Sequence, residues 1–287
     1  MTDSLPTPLP AAELARLDAL FPARRIGVGD AVVSVRECGE SAGLPLVCLH
    51  GIGSGAASWL ETARLLAPRA RLIAWDAPGY GDSTPLSAEA PCADDYAQRL
   101  LALLAAMGIE RCVLVGHSLG ALMAAPAARD GGRVAALVLM SPAQGYGVPG
   151  REAERARVHA ERLASLESLG IAGMAARRAG RLVSAQASPV ARQWVHWNMA
   201  RLHAPGYRQA IELLCGGDLL ADLPPAVPIA VACGALDEVT PPAACAQVAR
   251  RCGVALQLVA DAGHAAYVEQ PAAVATLLGQ VLDSVGT

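Results

Sequence analysis

Short apolar runs alternate with segments of helical periodicity through the first half of the chain. The apolar runs, which predict strands, lie at 31–37, 44–49, 71–75, 112–115 and 134–140. The segments with helical spacing lie at 59–66, 94–107 and 121–129. Because nearly continuous apolar strands that alternate with helices are typical of parallel sheets covered on both faces, the pattern predicts an α/β fold.

The alternation stops near residue 142 and resumes near residue 223. Residues 151–215 are rich in arginine and alanine, and they look helical throughout. Beyond them, strands are predicted at 228–233 and 255–259, each followed by a helix. We therefore expect four segments, which are a lead-in at 1–25 with one short helix, a first core part at 26–141, a helical cap at 142–222 and a second core part at 223–287.

Composition excludes several classes of function. All 23 basic residues of the 287 are arginines, so no lysine amine is present for a Schiff base or a Walker-type phosphate loop. The net charge of −3 and the pI of about 6.1 give no electrostatic footprint for nucleic acid. We expect a small-molecule substrate and no nucleic-acid partner, and the sequence does not indicate an oligomeric state.

Cysteine and histidine spacing gives no sign of a metal or a disulfide framework. The eight cysteines form no C-x-x-C pair, and several lie in apolar strands, where a thiol acts as a small hydrophobic side chain. The six histidines show no spacing typical of metal ligands. We expect no metal and no organic cofactor. No leader pattern and no stretch of 18 apolar residues is found, so we expect a cytoplasmic protein that does not span a membrane.

The most specific local motif is Gly116-His117-Ser118-Leu119-Gly120, a G-x-S-x-G sequence between a predicted strand and a predicted helix. Glycines on both sides of Ser118 allow a sharp turn that raises its hydroxyl above the sheet edge. The amide of Leu119 would then lie at a helix N-terminus, where free donors and the helix dipole stabilise an oxyanion. The motif predicts Ser118 as a nucleophile.

An acid and a base follow Ser118 in the order that such a nucleophile requires. Asp237 comes after the strand at 228–233, and His264 comes after the strand at 255–259. Each lies just past the carboxyl end of a predicted strand, where sites form in open parallel sheets. We predict Asp237 and His264 as the acid and the base, with Glu238 as the alternative acid.

A second oxyanion donor is expected in the glycine-rich loop after the strand at 44–49. The amide of Ile52 is our candidate, and Gly53 and Ser54 are the alternatives. His50, at the start of the loop, is expected to play a structural part.

Taken together, these motifs resemble the α/β-hydrolase superfamily, in the serine-nucleophile branch with a helical cap. The matching segments are His50-Gly51-x-Gly53, Asp76-x-Pro78-Gly79-x-Gly81-x-Ser83, Gly116–Gly120, Asp237-x-x-Thr240-Pro241-Pro242 and Gly263-His264. The resemblance covers about 30–275 without the cap and implies an α/β-hydrolase fold. It also implies that Ser118, activated by His264 and Asp237, forms an acyl-enzyme from a carboxylic ester or lactone. Enzymes that resemble dehalogenases and epoxide hydrolases use an aspartate instead, so Ser118 argues against both.

Substrate contacts are expected from the cap. The large apolar candidates are Trp194, Trp197, Met199 and Tyr207, although the two tryptophans also suit a face that packs the cap onto the core. The cap arginines 177, 178 and 181 either attract a substrate carboxylate or form a solvated helix face.

Three alternative functions are left open by the motifs. The same serine, histidine and aspartate serve carbon–carbon bond hydrolysis of a vinylogous diketone, although Gly53-Ser54-Gly55 departs from the Gly-Pro-Gly of many such enzymes. A hydrolase-fold ligand-binding protein with slow turnover would also keep them. The loop Gly51-x-Gly53-x-x-Ala56, with Asp76 after the next strand, resembles a dinucleotide-binding fingerprint, but that reading leaves Ser118 unexplained.

Overall fold

A computed structural model describes residues 8–40 and 43–286, so the first seven residues of the expected lead-in lie outside the described part. The described residues form one eight-stranded sheet in the order β1-β2-β4-β3-β5-β6-β7-β8. The strands are β1 (Ala23–Val28), β2 (Ala31–Cys38), β3 (Leu46–Leu49), β4 (Leu72–Trp75), β5 (Cys112–His117), β6 (Val134–Met140), β7 (Ile229–Gly234) and β8 (Leu256–Val259). β2 is antiparallel to both of its neighbours, β1 and β4. The other six strands, β3 to β8, are parallel to one another.

Helices cover both faces of the sheet and fill the connection between β6 and β7. The α-helices are α1 (Ala11–Leu20), α2 (Leu60–Leu66), α3 (Ala93–Ala106), α4 (Leu119–Ala128), α5 (Glu152–Arg178), α6 (Pro189–Ala200), α7 (Ala204–Gly216), α8 (Pro242–Arg251), α9 (Ala266–Glu269) and α10 (Pro271–Val285). Single 3₁₀ turns lie at Ala56–Trp59, Ala179–Leu182 and Leu219–Asp222. α5 is interrupted at Gly170, where φ is 61°. None of the described helices is long and apolar enough to cross a membrane.

The strand order reverses at β3, and this reversal positions the site. The chain adds β4 on one side of β3 and then crosses over to add β5 on the other side. The loops that leave the carboxyl ends of β3 and β5 therefore begin next to each other. In open α/β sheets a ligand crevice forms at such a switch point.

Residues of the central strands alternate between two buried faces. In β3, Val47 and Leu49 pack beneath α3 and α4, whereas Leu46 and Cys48 face the side covered by α1, α2 and α10. This two-residue alternation is the normal geometry of a strand that is covered on both faces. Burial of each large aliphatic side chain contributes roughly 1.5–3 kcal/mol, and the central strands are held rigidly as a result.

The first strand of the sheet was not predicted from the sequence. β1 begins at Ala23, inside the expected lead-in, and forms an antiparallel edge pair with β2. Its Arg24 and Arg25 are exposed, so the strand lacks the apolar run that marks the others. Between β6 and β7 the described residues form the helices α5, α6 and α7 and two of the single 3₁₀ turns. All eight cysteines are free thiols, and five of them are buried.

Candidate active site

Ser118 lies in a strained turn between β5 and α4. Its φ of 52° and ψ of −115° are unusual for a residue with a side chain and cost roughly 1–3 kcal/mol. The flanking glycines are needed because a Cβ on Gly116 would lie 2.7 Å from the Gly120 carbonyl oxygen, and a Cβ on Gly120 would lie 2.7 Å from the Leu49 carbonyl oxygen. The turn therefore has the geometry of a nucleophile elbow.

The loop after β3 packs directly against this elbow. A Cβ placed on Gly51 would lie 3.0 Å from the Ser118 Cβ. The loop is fixed by the Tyr80 hydroxyl, which donates to the Ile52 carbonyl oxygen at 3.0 Å. Neither the Ile52 amide nor the Leu119 amide donates a hydrogen bond to another described residue, and both residues line the same cavity as Ser118. Two free amides beside one hydroxyl can bind an anionic oxygen.

His264 and Asp237 form a buried hydrogen-bonded pair. His264 Nδ1 lies 2.9 Å from Asp237 Oδ2, and the Asp237 side chain has no solvent exposure. The other carboxylate oxygen, Oδ1, accepts the backbone amides of Val239 and Thr240 at 2.8 and 2.9 Å. His264 lines the cavity together with Ser118. The neighbouring Glu238 is exposed and forms no ion pair with a described residue, so Asp237, and not Glu238, is the carboxylate bonded to the imidazole.

Thr240 was named from the sequence only as part of the segment Asp237-x-x-Thr240-Pro241-Pro242 and was given no role there, yet it belongs to the same hydrogen-bonded group. Its hydroxyl lies 2.9 Å from Asp237 Oδ2, 3.2 Å from His264 Nδ1 and 3.0 Å from the carbonyl oxygen of Ser141. Ser141 follows β6 and has a φ of 46°. The Thr240 hydroxyl thus ties the acid and the base to the end of the neighbouring strand.

Electrostatics keep the Asp237 carboxyl ionised. Burial opposes its charge, but the hydrogen bond and the charge of His264, together with donors from Thr240 and Ser141, outweigh that cost. The net effect lowers the pKa of Asp237 from 3.8 to about 2. At neutral pH the carboxylate is therefore available to stabilise a protonated imidazole on His264.

Two further histidines beside the elbow hold the backbone. His117 Nε2 donates to the carbonyl oxygen of His264 at 2.9 Å. Burial, reinforced by the nearby His264, lowers the pKa of His117 to about 3, so the ring stays neutral. His50 Nε2 accepts the Ala77 amide at 3.0 Å, and its Nδ1 donates to the Gly51 carbonyl oxygen at 2.8 Å. Burial also lowers the pKa of His50, and both rings serve as neutral braces.

Both oxygens of the Asp76 carboxylate accept hydrogen bonds from neighbouring parts of the chain. Its Oδ1 accepts the Ala56 amide at 2.8 Å, and its Oδ2 accepts the Ser34 hydroxyl at 2.9 Å. A Cβ on Gly81 would lie 2.5 Å from that carboxylate, which explains a glycine at this position of the motif. Asp76 therefore braces the loop after β3 and is not free to bind the ribose of a dinucleotide.

A cavity of about 620 Å³ opens above the elbow. Met199 of α6 forms part of its wall together with Val195 and Leu202. Trp194 and Trp197, also named as candidate substrate contacts, lie outside the wall. Their rings contact each other edge to face at 5.5 Å, and Trp194 Nε1 donates to a Glu13 carboxylate oxygen at 3.3 Å. The tryptophans lie about a quarter turn or more around α6 from the cavity-facing residues, because successive residues of a helix are about 100° apart.

Among residues 8–40 and 43–286, no group of three or more His, Cys, Asp and Glu side chains is placed to hold a metal ion. The chemistry that the described side chains offer is that of a hydroxyl, an imidazole and a carboxylate beside two free amides.

Comparisons with known proteins identify hydrolases among the relatives of this chain. The chain is 36% identical over 130 residues to a 2-hydroxy-6-oxononadienedioate/2-hydroxy-6-oxononatrienedioate hydrolase of Pseudomonas putida, a match that covers 44% of this chain and 45% of that protein. It is 31% identical over 84 residues to an (E)-2-((N-methylformamido)methylene)succinate hydrolase of Acinetobacter baylyi, covering 29% of this chain and 32% of that one. The chain spans between a quarter and about half of the length of the first curated relatives that it matches.

Solved structures extend the likeness over the whole fold. An enol-lactonase from Burkholderia xenovorans superposes with a TM-score of 0.79 at 22% identity, and the match covers 91% of this chain and 100% of that chain. An esterase from Thermogutta terrifontis superposes with a TM-score of 0.77 at 24% identity, covering 92% and 99% of the two chains. The predicted fold class is confirmed. The model of the alpha/beta hydrolase family matches residues 46–277, well over half of the chain, and the chain therefore belongs to that family of enzymes.

Proposed function

We propose that this hydrolase cleaves a carboxylic ester or lactone of a small molecule through a covalent acyl-enzyme on Ser118. The observation that carries the proposal is the buried pair formed by His264 Nδ1 and Asp237 Oδ2, on loops that bring His264 into the same cavity wall as Ser118. Similarity to hydrolases, an esterase and an enol-lactonase supports the same class of reaction.

The proposed reaction begins with proton transfer. His264 Nε2 takes the proton of the Ser118 hydroxyl while Oγ attacks the substrate carbonyl carbon, and the carbonyl electrons move onto oxygen. The amides of Ile52 and Leu119 bind that oxyanion, and each such donor is worth roughly 3 kcal/mol in the transition state. The carbon–oxygen bond to the alcohol then breaks, and the alcohol leaves with the proton from His264. Water, deprotonated by His264, releases the acid and restores Ser118.

Asp237 supports both halves of this cycle. Because its carboxylate oxygen accepts from Nδ1, the imidazole keeps its lone pair on Nε2, where the Ser118 proton must arrive. The charge of the carboxylate also stabilises the imidazolium that forms in each half-reaction. The strained Ser118 backbone fixes the direction of its Cα–Cβ bond before the substrate binds.

The test combines covalent labelling with turnover. Wild-type protein should react with a fluorophosphonate probe on Ser118, as located by mass spectrometry, and should hydrolyse para-nitrophenyl butyrate. Ser118→Ala should lose both reactions. Ser54→Ala, which removes another hydroxyl from the same cavity wall, is the matched control and should still be labelled. Full turnover by Ser118→Ala would rule out the acyl-enzyme.

Hydrolysis of a carbon–carbon bond in a vinylogous diketone is the second candidate, and the 36% identity to a dienedioate hydrolase favours it. The two reactions differ in the bond that breaks and in the leaving group. A panel of esters, enol-lactones and dienones separates them. Faster turnover of the dienones, still dependent on Ser118, would select the carbon–carbon reaction.

A further inference from the structure

Four arginines lie in the wall of the cavity that holds Ser118, and all of them come from residues 142–222. They are Arg151, Arg162, Arg178 and Arg181. Only Arg151 is neutralised by a described carboxylate, since its Nη2 lies 2.8 Å from Glu154 Oε2. None of the other three forms an ion pair within the described part of the chain.

Arg162 and Arg178 meet at one phenol. Arg162 Nη1 donates to the Tyr207 hydroxyl at 3.3 Å, and Arg178 lies beside the same hydroxyl. Both arginines are partly buried, whereas Arg181 is exposed. Burial lowers the pKa of Arg178, and the neighbouring Arg162 lowers it further. Two neighbouring cations that no described carboxylate neutralises repel each other, and a bound anion would offset that repulsion.

One acidic side chain also lies in the cavity wall and opposes this positive charge. Glu238 lines the same cavity, but it is exposed and pairs with no described residue. With Arg151 already neutralised, the wall carries three uncompensated positive charges against this one negative charge. The chain as a whole has a net charge of −3, so the positive wall is a local feature of the cavity.

Resting on the ester or lactone hydrolysis proposed above, we propose that the substrate carries a second, unreactive carboxylate, which is held by the guanidinium groups of Arg162 and Arg178 with Arg181 at the rim. A planar guanidinium matches the two oxygens of a carboxylate through paired hydrogen bonds. The cavity of about 620 Å³ has room for such a group and for the reacting carbonyl at Ser118. The substrate class is therefore a monoester or lactone derived from a dicarboxylic acid.

Two esters that differ only in this charge test the assignment. The charged substrate is para-nitrophenyl hemiadipate, and its neutral partner has an isopropyl group in place of the free carboxylate. In wild-type protein the charged ester should have a kcat/KM about tenfold or more above that of the neutral ester, after spontaneous hydrolysis is subtracted. Arg178→Gln and Arg162→Gln should each reduce this ratio by about tenfold. Equal values for the two esters in wild-type protein would overturn the assignment.

Arg177 provides the matched control. It precedes Arg178 in the chain, is exposed and lies outside the cavity wall. Arg177→Gln should keep the wild-type ratio, and an equal loss in Arg177→Gln would show a general effect of surface charge. Arg178→Lys keeps the positive charge but loses the paired donors, so it should give an intermediate ratio. Thermal unfolding of each variant shows whether it is folded.

A binding measurement that needs no turnover separates this inference from the proposed reaction. Adipate should bind to Ser118→Ala in calorimetry and should bind about tenfold more weakly when Arg178→Gln is added. If wild-type protein hydrolyses neither ester but Ser118→Ala binds adipate in this way, the proposed reaction fails and the carboxylate site stands. If both esters are hydrolysed equally and adipate does not bind, the carboxylate site fails and the proposed reaction stands. Tighter binding of inorganic phosphate than of adipate would overturn the choice of a carboxylate.

Discussion

Replacing Asp237 by asparagine tests the proposed proton path with almost no change in shape. Asp237 Oδ1 accepts two backbone amides, and this arrangement should fix the oxygen of the new amide group at the same place. The amide nitrogen would then face His264 Nδ1, which is 2.9 Å from Oδ2 in the native protein. A donor at that position forces Nδ1 to accept, so the ring proton moves to Nε2 and His264 can no longer take the proton of Ser118.

Asp237→Asn should change two quantities, kcat/KM and the free energy of unfolding. Loss of the correct tautomer should lower kcat/KM for para-nitrophenyl butyrate by about 10⁴-fold. The pKa of Asp237 is lowered from its ordinary value of 3.8 to about 2, and each unit of pKa corresponds to about 1.4 kcal/mol. The ionised side chain therefore contributes about 2 kcal/mol to folding at neutral pH. This stability is present above the unfolded pKa and is lost as the pH falls toward 2, so the wild type and the variant should converge in acid.

Ester hydrolysis and urea unfolding at neutral pH and near pH 3 check both magnitudes. Glu238→Gln is the control, because it changes the adjacent carboxylate, which is exposed and unpaired. It should affect stability and kcat/KM far less than Asp237→Asn does. An Asp237→Asn enzyme that keeps most of its activity, or a larger loss in Glu238→Gln, would refute the assignment of Asp237 as the orienting acid.

Three smaller changes test other contacts. Thr240→Val removes a hydroxyl 2.9 Å from the Asp237 carboxylate and should lower kcat/KM by about 10- to 100-fold. Thr240→Ser keeps the hydroxyl and should retain activity, so equal activity of the two variants would contradict a role for the hydroxyl in positioning Asp237. Gly53→Ala places a Cβ 2.7 Å from Met199 Cε, so the hydrolysis of long acyl esters should fall relative to that of acetate esters. Adding Met199→Ala removes the clash and should restore the long-chain activity, and a double variant that stays as slow as Gly53→Ala would contradict this explanation. The pKa of His117 is lowered from 6.5 to about 3 in the folded protein, so below about pH 6.5 the unfolded chain takes up a proton that the folded chain does not. The free energy of unfolding should therefore fall by about 1.4 kcal/mol per pH unit from about pH 6.5 down to about pH 3. Urea unfolding of His117→Asn should show a weaker pH dependence over that range, and an unchanged slope would exclude His117 as the cause.

The elements that carry the proposed chemistry were predictable because strand ends fix where loops meet. Ser118, Asp237 and His264 each follow a parallel strand, and the carboxyl ends of those strands lie at one edge of the sheet. Local chemistry then identifies the residues, since the strained turn requires glycines and, in this fold, the serine, the acid and the histidine follow in that order along the chain. This reasoning needs no knowledge of how the helices pack.

The parts that the sequence did not reveal depend on contacts between distant segments. Thr240 owes its position to a hydrogen bond with the Ser141 carbonyl, 99 residues away. β1 has exposed arginines in place of an apolar run, so its pairing with β2 alone defines it as a strand. In each case the deciding contact is made with another segment of the chain, so hydrophobic periodicity does not predict it.

The cavity wall shows the same limit in the helices. On α6, Trp194 and Met199 are both buried, but Trp194 faces the core side and Met199 faces the cavity. A hydrophobic pattern marks a side chain as buried without stating what buries it. Arg162 and Arg178 similarly lie on opposite sides of the break in α5 at Gly170, so helical spacing did not predict that both would reach Tyr207.

Hydrogen bonds join the cavity wall to the loop that carries His264. The Ala265 amide, next to His264, donates to the Leu182 carbonyl oxygen at 2.7 Å, and Leu182 lines the cavity. Glu269 accepts the Ser184 amide at 2.9 Å and the Gly263 amide at 2.8 Å, so one carboxylate joins both segments. A substrate that shifts the residues near Leu182 would therefore move the backbone beside His264. Because misplacement by about 1 Å can cost about 100-fold in rate, we expect substitutions at residues 182–184 to change turnover as well as substrate binding under the proposed reaction.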